Sequence, residues 1–312
     1  MAIITRLAYS RPGGCPEMAR ERSLVLTEDG SLSRRDAETG ELFHNRAGAI
    51  TEALKNYIEP AGAVERIRET GSLTVLDACF GLGYNTWVLL ETVLASVSST
   101  VHVKVTGIER DFDVLSDAIS VLQDLRLERV RQFVGTASPN AKPGLSFATS
   151  HIWQSGTTSC ELTLAQGDLR QVVPELSETL DLVFHDPFSP VRMPELWTVD
   201  LFRQYFRLLK PKGGRLLTYS AAAAVRGGLR EAGFSVWRTE AVGSKSGGTL
   251  ACSEPISTAP HNFPLRDEEE QKMRSRAGIP YRDPSLSAAR GTILHNRLEE
   301  QKRIRDIRLQ DG

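Results

Sequence analysis

Apolar and polar residues along this chain follow two periods that take turns. Short apolar runs at residues 73–78, 101–108, 162–165, 180–185, 215–219, 234–237 and 249–252 read as strands. Between them, residues 85–97, 112–125 and 196–209 repeat apolar side chains at i, i+3 and i+4, the stripe that lets a helix pack on a sheet. Such alternation predicts βαβ units and a largely parallel sheet covered by helices. The segment 242–248 is too short for a crossover helix, so the last two of the seven strands are expected to run antiparallel.

Three regions fall outside this alternation. Residues 1–60 hold turn-rich text, including Thr27-Glu28-Asp29-Gly30-Ser31, and predict a small β-rich cap followed by an entry helix over 47–57. The core then spans 61–255, with an insertion at about 130–160 marked by Pro139, Pro143, Gly144 and Gly156. An extension over 256–312 carries Pro260, Pro264, Pro280 and Pro284 before a charged, helical end at 292–309. There Arg297, Lys302, Arg303, Arg305 and Arg308 mix with Glu299, Glu300 and Asp306, which reads as a solvated helix face, with a basic strip for phosphates as the alternative.

Composition narrows the class. The 312 residues are 40% hydrophobic and 25% charged, ordinary for a globular protein with a sizeable core. A net charge of −1 neither requires nor excludes a polyanionic partner, since a local basic face can coexist with overall neutrality. Cys15, Cys79, Cys160 and Cys252 are far apart and form no Cys-x-x-Cys pair, which argues against a zinc knuckle or a disulfide framework, and no metal is expected. The start lacks the layout of a signal peptide and no apolar run approaches a membrane span, so a cytoplasmic location away from membranes is expected.

The candidate chemistry sits at the ends of the strands. Asp77-Ala78-Cys79-Phe80-Gly81-Leu82-Gly83-Tyr84-Asn85 ends the first strand in an acidic residue, turns on two glycines and enters a helix. A dinucleotide-binding turn would add a third glycine and avoid a carboxylate beside pyrophosphate. Asp77 suits a ligand with an ammonium or sulfonium and no phosphate, which is the chemistry of S-adenosylmethionine. Glu109, one βα unit later, can accept both hydroxyls of a ribose, and Asp168 in Gln166-Gly167-Asp168 can accept an adenine amine. Asp186-Pro187-Phe188 ends the fourth strand, which flanks the switch point opposite Asp77. A carboxylate there can orient an attacking amine while the ring packs on substrate. His185 alternates away from Asp186 along the strand and reads as a packed histidine, and Trp197 as either core or a wall of the substrate mouth. A doubly wound sheet closed by a reversed strand, with this pocket, defines the expected fold as α/β, a class I S-adenosylmethionine-dependent methyltransferase with a Rossmann-like seven-stranded sheet.

Beyond these single residues, Asp186-Pro187-Phe188-Ser189-Pro190, Pro194-Glu195-Leu196-Trp197-Thr198, Lys210-Pro211-Lys212-Gly213-Gly214 and Val225-Arg226-Gly227-Gly228-Leu229 resemble the methyltransferase domain of the MnmC-type tRNA-modifying enzymes. Phe80-Gly81-Leu82-Gly83-Tyr84-Asn85 is similar to that family's cofactor turn, and Phe43-His44-Asn45-Arg46-Ala47-Gly48-Ala49 resembles its N-terminal motif; the likeness covers about residues 25–255. The resemblance implies methylation of the aminomethyl group on a tRNA wobble uridine with S-adenosylmethionine, by a methyltransferase without the FAD-dependent oxidase that follows in many relatives. It places Asp77, Phe80, Gly81, Gly83, Asn85, Glu109, Asp168 and Asp186 around the cofactor, and His44, Asn45 and Phe188 near the base. With that substrate, Arg226, Arg230 and Lys245 are expected to contact phosphates. Methylation of another amine, synthesis of a polyamine, and a non-catalytic RNA-binding module are the alternatives.

Overall fold

The computed structural model describes residues 24–35, 40, 42–44, 48–111, 114, 117, 118, 120–136, 150–241, 247–257 and 261–310. Asn45, Lys245 and residues 137–149 of the insertion lie outside them, as do Cys15 and part of the helix expected over 112–125.

At the N-terminal end of the described chain, β1 (Leu24–Leu26) and β2 (Leu32–Arg34) pair as an antiparallel hairpin. Asp29 in the hairpin turn accepts hydrogen bonds from the Thr51 N–H and hydroxyl at 3.2 and 2.9 Å, tying the turn to helix α1 (Ala49–Ala53). Burial opposes charge on Asp29, but hydrogen bonds from Ser31 and Thr51 outweigh it and hold the carboxyl well below its usual range. The helix continues through a π-helical stretch, Leu54–Ile58, and the chain enters α2 (Ala63–Thr70).

The remaining strands make one sheet: β3 (Ser72–Ala78), β4 (Val101–Glu109), β5 (Ser150–Ser155), β6 (Thr158–Gln166), β7 (Leu182–His185), β8 (Arg215–Thr218), β9 (Ser235–Thr239), β10 (Thr249–Cys252) and β11 (Asn262–Phe263). Their order is β11-β9-β10-β8-β7-β3-β4-β6-β5. The pairings β4–β6, β3–β4, β3–β7 and β7–β8 are parallel, and β10 lies antiparallel between β8 and β9. The seven strands expected from the apolar runs are therefore the seven inner ones. Missing from that reading were β5 and β11, both edge strands. Only Trp153 of β5 is buried, so its Ser- and Gln-rich text carries no apolar signal, and pairing with it starts β6 at Thr158 instead of 162.

Helices cover both faces. α3 (Tyr84–Ser96), α4 (Glu128–Thr136) and the N-terminal helices pack on one, where Val75, Leu182, Phe184, Leu217 and Leu250 point. α5 (Leu169–Glu175), α6 (Val199–Leu208) and α7 (Ala223–Glu231) pack on the other, with Leu76, Val183, Leu216 and Ala251. Strand side chains alternate between the faces, which is why neighbours in sequence enter different cores. α3 is buried on nearly every side because the N-terminal helices cover what would otherwise be its outer face. The extension adds α8 (Asp267–Arg274) and α9 (Arg290–Gln310), and Tyr281 and Ile293 join the second core.

Candidate active site

The parallel pairing of β3 with β7 puts Ala78 opposite His185, so the chain leaves Asp77 and Asp186 at the same edge of the sheet. From Asp77 it turns through Cys79 (φ 66°), Gly81 (φ 53°) and Gly83 (φ 76°), all left-handed. A Cβ on Gly83 would lie 2.6 Å from Phe80 Cζ and 2.7 Å from Trp87 Nε1, so both the dihedral and the space demand glycine. Cys79 holds the same region without that freedom, at a cost on the order of 1–3 kcal/mol, at the wall of the cavity described next.

A cavity of about 750 Å³ opens above these strand ends. His44, Gly81, Glu109, Asp168, Asp186, Pro187 and Phe188 all line it. Glu109, at the end of β4, accepts the Gly81 N–H at 2.9 Å through Oε2 and the Arg110 and Asp111 N–H groups at 2.7 and 2.8 Å through Oε1. Burial raises its pKa, against those three donors. Asp168 caps α5, accepting the Arg170 N–H at 2.9 Å, and pairs with the Arg170 guanidinium at 2.9 Å. Asp77 is fully buried; Thr86 Oγ1 donates to its Oδ2 at 2.6 Å, while Oδ1 is buried without a hydrogen-bond partner among the described residues. Burial pushes its pKa up to about 8, nearby Asp186 adds to this, and the Thr86 donors oppose it.

Asn85 is buried and does not line the cavity, but its Nδ2 donates to Asp186 Oδ2 at 3.0 Å. Tyr57, fully buried, brings its hydroxyl beside Asp186, and burial together with the Asp186 and Glu52 carboxylates holds the phenol well above its ordinary pKa. The loop after Asp186 is pinned through its carbonyls: the Tyr219 hydroxyl donates to Pro187 O at 3.0 Å and Trp197 Nε1 to Phe188 O at 2.9 Å. Phe188 meets Phe43 edge to face at 5.3 Å, and Phe43 in turn covers Gly81. His44 packs on Tyr84 at 4.9 Å, and burial lowers its pKa to about 4, against the pull of Asp29, so the ring is neutral at pH 7.

Other expected site residues fall elsewhere. Phe80 is 3% exposed and wedged against Trp87 in the core, where it shapes the turn without lining the cavity. Trp197 is fully buried, so it is core that anchors the loop, and it is no wall of the mouth. Arg226 is 2% exposed; its guanidinium bonds to Glu269 at 2.7 Å, Thr249 Oγ1 at 2.9 Å and Gly248 O at 3.2 Å, which withdraws it from any phosphate. Arg230 pairs with Glu270 at 2.7 Å. His185 is sealed among Trp197, Phe202 and Tyr205, and burial lowers its pKa to about 3. Glu52, Tyr57, Phe43, Glu195 and Tyr219 were not singled out from sequence, although Phe43 and Glu195 stand inside quoted motifs. Glu52 and Tyr57 escaped because five residues on an α-helix turn about 500°, so they read as different faces, whereas the i→i+5 bonding of the Leu54–Ile58 stretch rotates them toward one another.

Comparisons with known proteins agree with this geometry. A sequence profile of the family described as S-adenosyl-L-methionine-dependent methyltransferase matches residues 144–254. An uncharacterized protein of Methanocaldococcus jannaschii is 27% identical over 298 residues, 95% of this chain and 77% of that one. The tRNA 5-methylaminomethyl-2-thiouridine biosynthesis bifunctional protein MnmC of Ralstonia nicotianae is 30% identical over 218 residues, 69% of this chain and 32% of that protein. This chain thus covers about a third of the length of such bifunctional relatives. The crystal structure of MNMC2 from Aquifex aeolicus superposes with a TM-score of 0.69 at 26% identity, covering 90% of this chain and 85% of that one. Sheet order, glycine turn and profile together define a class I S-adenosylmethionine-dependent methyltransferase.

Within that class the chain is similar to the methyltransferase part of the MnmC relatives and to MNMC2. The residues fit the cofactor: a buried carboxylate oxygen on Asp77 lacks a donor of the kind an ammonium supplies, and the strand-end carboxylates Glu109 and Asp168 line a cavity roomy enough for a nucleoside. Among the described residues no helix is long and apolar enough to cross a membrane.

Proposed function

We propose that the protein transfers a methyl group from S-adenosylmethionine to the amine of a 5-aminomethyl group on the wobble uridine of tRNA, giving 5-methylaminomethyl-(2-thio)uridine. The observation that carries this reading is the meeting of two kinds of carboxylate in one place. Asp77 and Asp186 leave β3 and β7 at one edge of the sheet, and in this reading the buried Asp77 serves the cofactor while Asp186, with Tyr57 beside it and Glu52 beside Tyr57, serves the acceptor. The name of the Ralstonia relative, which specifies tRNA 5-methylaminomethyl-2-thiouridine biosynthesis, supports the choice of amine.

In this reading Asp77 holds the amino-acid end of the cofactor, Glu109 its ribose and Asp168 its adenine. When bound, the cofactor supplies an electrophilic methyl group on a sulfonium. Asp186, fixed by the Asn85 amide, accepts an N–H of the acceptor and aims its lone pair; Pro187 and Phe188 follow as a rigid wall. Tyr57 keeps its proton, because its pKa is raised, and is no base; its hydroxyl is buried beside Asp186 without a hydrogen-bond partner among the described residues. His185 is sealed away and neutral. The acceptor arrives as an ammonium favoured by the carboxylates, and its proton leaves to water before transfer. Phe43, Phe188 and His44 offer flat faces to a base turned out of its stack, as enzymes acting on nucleobases require.

The test is incubation with labelled S-adenosylmethionine and tRNA lacking the modification, followed by nucleoside mass spectrometry; methylaminomethyl-uridine is expected. A second reading, a polyamine or other small amine as acceptor, draws on Glu195, which lines the same cavity with Oε2 buried and without a partner among the described residues. Label appearing in a diamine and not in tRNA would favour it.

A further inference from the structure

The extension beyond the sheet reaches back to the cofactor side of the cavity. Asp283, fully buried, uses Oδ1 to accept from the Ser285 hydroxyl and the Ser287 and Ala288 N–H groups at 3.0, 3.2 and 3.0 Å, which folds its own loop around it. Its Oδ2 is turned to Arg170 Nη1 at 3.0 Å, and the same nitrogen donates to Ala288 O at 3.0 Å. The other arm of that guanidinium, Nη2, binds Asp168 Oδ2 at 2.9 Å, and Nε reaches Asp168 Oδ1 at 3.3 Å. The loop itself is locked to the core: the Asp283 N–H donates to Asp200 Oδ2 at 2.7 Å, and Val199 N–H to Tyr281 O at 3.0 Å. A flexible arginine is thereby clamped between two carboxylates from distant parts of the chain.

We propose that Asp283, acting through Arg170, is a positioning residue that fixes the rotamer of Asp168 and so sets the affinity and base selectivity of the cofactor pocket. The inference rests on the reading of Asp168 as acceptor of the adenine amino group. An acceptor held in one orientation before binding loses less freedom on binding than one that must be ordered at that moment. The extension, which lies outside the profile match at 144–254, thus completes the adenine side of the pocket.

The experiment measures binding of S-adenosylhomocysteine and of its deaminated analogue S-inosylhomocysteine to the full chain by calorimetry. Wild type should prefer the adenine compound, since Asp168 accepts from an amine but meets a carbonyl in the analogue. Asp283→Asn should weaken S-adenosylhomocysteine roughly tenfold and narrow the preference, with kcat at saturating cofactor unchanged. Arg170→Gln, which leaves the loop contacts of Asp283 Oδ1 in place, should do the same and covers the case in which Asp283→Asn does not fold. Combining Asp283→Asn with Asp168→Asn should narrow the preference no further than Asp168→Asn alone. An unchanged preference in Arg170→Gln, or additive losses in the double variant, would overturn the proposal while the cofactor reading stands. Equal binding of the two compounds by wild type would overturn it together with the adenine role of Asp168.

Discussion

Replacing Asp77 by Asn separates the role of this residue in binding from its burden on folding. The buried carboxyl titrates near 8 in the folded protein against an ordinary value of 3.8. The native state therefore keeps a proton that the unfolded chain has lost, and stability falls as pH rises from about 4 to about 8. At about 1.36 kcal/mol per pKa unit, the burden at pH 7 is at most about 4 kcal/mol. Asn does not titrate, but its amide would sit where Oδ1 now lacks a partner, which returns about 1–3 kcal/mol. The net gain for the variant is then about 1–3 kcal/mol. With an unfolding entropy near 0.65 kcal/mol/K for 312 residues, that is a rise in Tm of about 2–5 °C at pH 7. The gain should shrink as pH falls and turn into a loss of about 1–3 kcal/mol toward pH 4, where wild-type Asp77 is protonated in both states and only the cost of the amide remains. Loss of a charge-assisted bond to the cofactor ammonium should meanwhile weaken S-adenosylmethionine about 10- to 100-fold. Differential scanning across pH, with titration calorimetry for the cofactor, reads both effects. A variant less stable than wild type at pH 7, or one that binds the cofactor with wild-type affinity, would refute the reasoning.

Asp186→Ala should lower turnover about 100-fold or more with little change in Tm, because the half-buried carboxylate orients the amine without supporting the core; wild-type turnover by nucleoside mass spectrometry would remove it from the mechanism. Gly83→Ala should destabilise the fold by several kcal/mol and abolish cofactor binding, since it adds a left-handed strain to a clash with Phe80 and Trp87, and a normal melting curve would contradict that. Arg226→Met leaves the half-buried Glu269 without its guanidinium partner, keeping only the Arg266 N–H, and should cost about 3 kcal/mol in denaturant unfolding while leaving tRNA affinity unchanged; a selective loss of tRNA binding would return Arg226 to the substrate surface. Binding of tRNA should weaken linearly in log Kd against log salt, and a flat dependence would argue for a small-molecule acceptor.

The sequence by itself determined the alternation of seven inner strands with helices, the reversed final pair, and the strand-end acidic residues Glu109, Asp168 and Asp186 that line one cavity. Each of these is local: a period of two or 3.6, a glycine turn, a carboxylate where a strand stops. Even the burial of His185 followed from alternation along one strand. What only the tertiary structure decided depends on partners far along the chain. Arg226 looked like a free cation and is spent on Glu269, which stands 43 residues away on an extension with no counterpart in the recognised motifs. Trp197 and Phe80 carry aromatic rings in motif text, yet packing turns both inward. Tyr57 stands beside both Asp186 and Glu52 because a π-helical stretch changes the register of its helix, and Asp283 reaches Arg170 across 113 residues. Periodicity reports which side of an element is apolar; which charged group meets which is set by the long-range packing that places two elements side by side.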